Sequence, residues 1–90
     1  MIFEEKPVKG KFVKGFRTVS ALDGAGVVEL HFKVAGRKSP VLLNFRDNSP
    51  VTYANTAAAE DFLKKHLYND TVTLVQVGTG KYAGFRLFGY

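Results

Sequence analysis

The stretch Val27-Val28-Glu29-Leu30-His31-Phe32-Lys33-Val34 carries the cleanest period in the chain. Val28, Leu30, Phe32 and Val34 fall on one side, and Val27, Glu29, His31 and Lys33 on the other. That is the two-residue alternation of a strand with one face in a core and one in water. Turns frame it. Asp23-Gly24-Ala25-Gly26 precedes it, and Asp-Gly supplies the positive backbone angle a tight hairpin needs. Ala35-Gly36-Arg37-Lys38-Ser39-Pro40 follows as a second turn. Residues 41–46 then alternate again, with Val41, Leu43 and Phe45 inward, until the turn formers Asp47-Asn48-Ser49-Pro50 end the strand.

Further along, the period changes. Ala59, Phe62, Leu63, His66 and Leu67 fall at i, i+3, i+4, i+7 and i+8, the apolar stripe of a helix. Asn55 or Thr56 caps its start, Glu60 and Asp61 suit its first turn, and Asn69 is expected as a left-handed cap at its end. A strand over 71–77, a Gly78-Thr79-Gly80 turn and a strand over 81–90 complete the chain. Upstream, residues 1–8 read as a lead-in containing Pro7, and 9–22 as a long first strand. Phe12 and Phe16 share one parity in it, and Val13, Val19 and Ala21 the other. Gly15 marks a bulge that flips the side-chain parity. The order is β-β-β-α-β-β. This predicts a mainly β fold, a five-stranded OB-type Greek-key barrel with one helix between strands 3 and 4. An SH3-like barrel is the alternative, but it usually has no helix at that place.

The totals agree with one domain over residues 1–90. A chain of 90 residues buries roughly 60–65% of its unfolded surface, so its core is modest. The aromatic core is expected from Phe12 or Phe16 with Phe32, Phe45, Phe62 and Phe85. There is no cysteine, which excludes disulfides, thiolate metal sites and cysteine nucleophiles and suits a cytoplasmic location. The N-terminus has no basic-then-apolar signal pattern, and no apolar run approaches the ~20 residues of a membrane-spanning helix.

The net charge is +5, and its placement matters more than its size. Residues 6–17 carry Lys6, Lys9, Lys11, Lys14 and Arg17 with no acidic residue among them. Such a stripe attracts polyanions, although lysine on an edge strand also prevents aggregation. Aromatics interleave with the cations. Phe12, Lys14 and Phe16 alternate, Tyr82, Arg86, Phe88 and Tyr90 share a parity, and His31 and Lys33 lie on the polar face of the second strand. Single-stranded nucleic acid is held by stacking on aromatic faces above a positive groove.

Catalytic signals are thin. His66 lies on the apolar helix stripe and His31 on a solvated face, so neither reads as a base. Two distant histidines without cysteine do not make a zinc site. Gly78-Thr79-Gly80-Lys81 lacks the spacing of a phosphate loop and reads as a hairpin turn. Asp23 and Asp47 sit in turns, where aspartate usually bonds its own backbone.

Over about residues 18–90 the chain resembles the staphylococcal-nuclease-like branch of OB folds. The resemblance is carried by Ala21-Leu22-Asp23-Gly24, Val41-Leu42-Leu43, the helix at 57–67, Val72-Thr73-Leu74 and Lys81-Tyr82. It implies the same barrel without the family's calcium-dependent chemistry. Ala25 or Gly26 stands where the first metal carboxylate would be, and Val41 where the first arginine would be. Arg46-Asp47-Asn48-Ser49-Pro50 replaces the Asp-Thr-Pro-Glu stretch, and Arg86 is displaced in register.

The expectation is therefore a non-catalytic module, without cofactor or metal, that binds single-stranded DNA or RNA with little sequence preference. Its contact residues are Lys11, Lys14, Arg17, His31, Lys33, Arg46, Tyr82 and Arg86. The alternatives are a protein-interaction or self-assembly module pairing through a strand edge such as Phe85-Arg86-Leu87-Phe88 and, last, a residual calcium-dependent nuclease using Asp47.

Overall fold

The computed structural model describes residues 4–90, apart from the side chain of Lys81. Its longest element is β1, Glu5–Val19. The antiparallel register with β2, Gly26–Val34, runs from Gly10 opposite Val34 to Val19 opposite Gly26, and it shifts between Phe12 and Lys14. The bulge thus falls at Val13, two residues before Gly15. From Val8 to Phe12 the even-numbered side chains point inward. After Val13 the odd positions do, and Gly15 lies opposite inward Leu30. Phe12 is consequently fully buried while Phe16 is 38% exposed, which settles which phenylalanine enters the core.

β1 serves both halves of the barrel. Its first half pairs with β4, Thr71–Val77, from Glu5 opposite Val77 to Lys11 opposite Thr71. The expected lead-in is therefore strand from Glu5 on, while residues 1–3 lie outside the described residues. Pro7 is tolerated because β1 there has β4 on one side only, leaving its nitrogen an edge without a partner. β2 also pairs with β3, Val41–Arg46, and β4 with the short β5, Gly84–Leu87. The sheet order is β3-β2-β1-β4-β5. Successive antiparallel pairings leave β3 and β5 running in the same direction, side by side, with no ladder between them among the described residues. This is the nearly closed OB-type barrel, with α1, Thr56–Lys65, between β3 and β4.

The core is the inward set of every strand plus two helix residues. Val28, Leu30, Phe32, Val34, Val41, Leu43, Phe45, Ala59, Phe62, Val72, Leu74 and Leu87 join Phe12, with Phe85 packed against them. Asn55 caps α1, its Oδ1 accepting from the Ala57 N–H at 2.9 Å. The helix ends at Lys65, so Leu67 lies beyond it and is 78% exposed. Glu60 and Asp61 fall past the first turn and pair instead with Arg17 and Lys65. Asn69 is left-handed, φ 74°, but it closes the turn after the helix, and its N–H donates to the Phe12 carbonyl at 2.7 Å. The last strand is shorter than its sequence reads. Gly78, Gly80 and Gly89 all have positive φ, and they wind the flanks into turns that put Tyr82 in a 3-10 turn and leave Phe88 exposed.

Gly15 is where the helix meets the barrel. A Cβ there would lie 2.7 Å from Leu30 Cδ2 and 3.0 Å from Leu63 Cδ2. Gly15→Val must displace the ends of Leu30 and Leu63, and overpacking of this kind costs about 1–3 kcal/mol. Urea unfolding checks it; a change under ~0.5 kcal/mol would show that the helix does not seat there.

Candidate nucleic-acid interface

The outer surface of β1 and β2 is built by alternation. Lys9 and Lys11 precede the bulge and face outward, as do Lys14 and Phe16 after it. Opposite them lie Lys33 beside Lys11, His31 beside Lys14, and Glu29 beside Phe16. β3 adds Leu42 next to His31. Lys11 and Lys14 are three residues apart, an odd spacing that puts two side chains on opposite faces of a regular strand. They share a face only because Val13 is the extra residue.

Lys11 and Lys33 are directly opposite and both exposed. Like charges so placed destabilise a sheet. Among the described residues neither has an ion-pair partner, and neither does Lys14, which lies 5.9 Å from the Phe16 ring centre. Lys9 donates to the Thr73 hydroxyl at 3.0 Å. Glu29, the carboxylate beside Phe16, is engaged by His31 Nε2 at 2.9 Å. The His31 ring lies 5.5 Å from Phe16. Phe16, His31 and the half-exposed Leu42 thus form an aromatic and apolar patch beside a row of four lysines.

Of the residues nominated from sequence, Lys11, Lys14, His31 and Lys33 come together here. The others are drawn elsewhere. Arg46 lies at the end of β3 and pairs with Asp23 in the β1–β2 turn. Arg17 lies opposite inward-facing Val28, so the alternation turns it away from Lys14 toward the helix, where it pairs with Glu60. Arg86 closes the seam between β3 and β5: it donates to Glu5 at 3.2 Å and stacks 5.6 Å from the Tyr53 ring. Tyr82 projects from the β4–β5 loop. The sequence reading nominated neither Phe16 nor Leu42, nor the cations Lys6, Lys9, Arg37 and Lys38 at the next barrel end. The adjacent Arg37 and Lys38 in the β2–β3 turn were the signal available for that end.

Asp47 has a structural task. It accepts from the Thr56 hydroxyl and from the Gly26 N–H, the latter at 3.1 Å, tying the start of β2 to the start of the helix. The Thr56 hydrogen bond, then the Gly26 N–H and the Arg17 charge, hold its carboxyl below the ordinary value of 3.8. A carboxyl depressed on folding contributes stability that is present above its unfolded pKa and lost as pH falls through the folded one. Thermal midpoints should therefore fall as pH drops below 3.8, and less steeply in Asp47→Asn. Equal slopes for the two proteins would remove Asp47 from the acid response. Among the described residues no group of three histidine or acidic side chains is placed to hold a metal ion, and no helix is long and apolar enough to cross a membrane.

No family model matches this chain, and no curated protein or solved structure matches it.

Proposed function

We propose that the protein binds single-stranded nucleic acid on the outer face of β1 and β2, with little sequence preference. The observation that carries this is the cross-strand pair Lys11 and Lys33, exposed, opposite one another and without a carboxylate, in line with Lys9 and Lys14. Such an arrangement costs the folded chain stability unless an anion sits between the charges. Phosphates satisfy it at regular intervals, and the Phe16–His31 patch beside it offers ring faces for stacking. On OB barrels oligonucleotides bind over strands 2 and 3, and β2 is part of this face. Asp47 is occupied by Thr56 and Gly26, which argues against metal-dependent cleavage.

Fluorescence anisotropy with labelled oligothymidylate tests the reading. The expected dissociation constant is on the order of 10⁻⁴–10⁻⁶ M. With four lysines on phosphates and a single-strand exponent of ~0.7 per contact, affinity falls about 50-fold from ~50 to ~200 mM salt. No binding at low salt would end the proposal.

A second reading, pairing of a partner strand at an edge, draws on the missing ladder between β3 and β5. Tyr53 and Arg86 line the remaining gap of about 160 Å³, which argues against it. Light scattering giving a stable dimer together with no oligonucleotide binding would reverse the order of the two.

A further inference from the structure

The positive row does not stop at Lys9. β2 ends at Val34, and residues Glu5–Lys9 of β1 continue with β4 on one side only. The β2–β3 turn swings away from them and leaves an open cleft of about 890 Å³ between that turn, β1 and the start of the β4–β5 loop. Lys6, Lys9, Arg37 and Lys38 line it, and among the described residues no carboxylate does. Arg37 is held in place. Its Nη2 donates to the Gly80 carbonyl at 3.1 Å and its guanidinium lies 4.7 Å from the Phe85 ring centre. Lys6 and Lys38 are exposed and have no ion-pair partner among the described residues.

The geometry points to a second anion site: this cleft takes a phosphate group of the same nucleic acid strand that lies along Lys14, Lys11, Lys33 and Lys9. The inference rests on the outer-face reading and extends it. Four cations converging on a concavity focus a positive potential more strongly than cations on a flat face. An anchored guanidinium presents a fork that matches phosphate oxygens. Lys9 belongs to both regions, so a single strand reaches both. At about 3.3 Å per residue the path from Lys14 to Lys6 is roughly 25 Å, too long for a tetranucleotide to cover together with the cleft.

The experiment compares oligothymidylates of four and twelve nucleotides on the wild type and on the double variant Lys6→Gln/Lys38→Gln, with thermal midpoints confirming that the variant is folded. On the wild type the twelve-nucleotide strand, which spans both regions, should show a larger salt exponent than the tetranucleotide, and losing two phosphate contacts should lower it by about 1.4. An unchanged exponent for the longer strand overturns the cleft, even where Lys11→Gln/Lys33→Gln shows the outer face to be right. Should the wild type bind neither oligonucleotide, the outer-face reading fails, and the cleft is judged by amide shifts on titration with inorganic tripolyphosphate. Saturating shifts at Gly36, Arg37 and Gly80 that the double variant loses would sustain it; their absence overturns it. Oligoglutamate binding as tightly as the longer strand also overturns it, in favour of an acidic peptide.

Discussion

Phe12→Ala lowers the unfolding free energy by about 3–5 kcal/mol, the range for removing a buried phenylalanine. Its ring lies 5.6 Å from Phe32, 5.0 Å from Phe62 and 5.2 Å from Tyr68, so it joins β1 to β2, to the helix and to the turn that follows the helix. Its backbone closes the same junction, donating to the Asp70 carbonyl at 2.9 Å and accepting from Asn69. This is the point at which β1 passes from β4 to β2. A domain of this size has about 5–13 kcal/mol in total, so the loss is a large share of it. Phe16→Ala is the control. That ring stands on the outer face, and its loss should cost under ~1 kcal/mol. Urea denaturation of both variants checks the pair. Equal costs would mean that the bulge has been placed wrongly and that the two phenylalanines share one environment.

Lys11→Gln/Lys33→Gln moves binding and stability in opposite directions. Each lost phosphate contact removes a salt exponent of ~0.7, so two contacts weaken oligonucleotide binding roughly 60-fold at ~50 mM salt. The fall in affinity between ~50 and ~200 mM shrinks from about 50-fold to about 7-fold. Removing the facing charges also relieves their repulsion, so the free protein gains about 0.2–1 kcal/mol. Lysines that serve only to keep an edge soluble would give neither the lost affinity nor the changed salt dependence. A variant that binds as tightly as the wild type at low salt removes the central pair from the interface.

Much of the barrel was legible because short-range patterns and long-range packing agree in the middle of the chain. Val28, Leu30, Phe32, Val41, Leu43 and Phe45 alternate in sequence and are all buried, since a sheet with one wet face leaves them no other arrangement. The helix start was readable from Asn55, a local hydrogen bond. Its end was not. His66 and Leu67 keep the helical period after the backbone has left it, because the chain must turn there to deliver Asn69 and Asp70 to Phe12. At the last strand, glycines that could have accompanied a longer strand adopt positive φ and curtail it.

The candidate site was legible in half. Lys11, Lys14 and Lys33 could be nominated from charge and alternation. Arg17, Arg46 and Arg86 share that composition and differ only in what tertiary structure brings to them: Glu60, Asp23 and Glu5. A carboxylate twenty to eighty residues away leaves no mark on the local sequence.

The amino-acid sequence by itself determined the order of strands and helix, the inward set of β2 and β3, and the surplus of positive charge on β1, because each depends on neighbours within a few residues. Only the tertiary structure decided where β1 bulges, and hence that Phe12 is core, that Phe16 faces outward, and that Lys11 and Lys14 lie on one wall. The reason is geometric. An extra residue can be absorbed at several points along a strand, and the choice falls where β1 exchanges β4 for β2 and where the helix, through Phe62 and Leu63, leaves room for a ring at Phe12 and none for a side chain at Gly15.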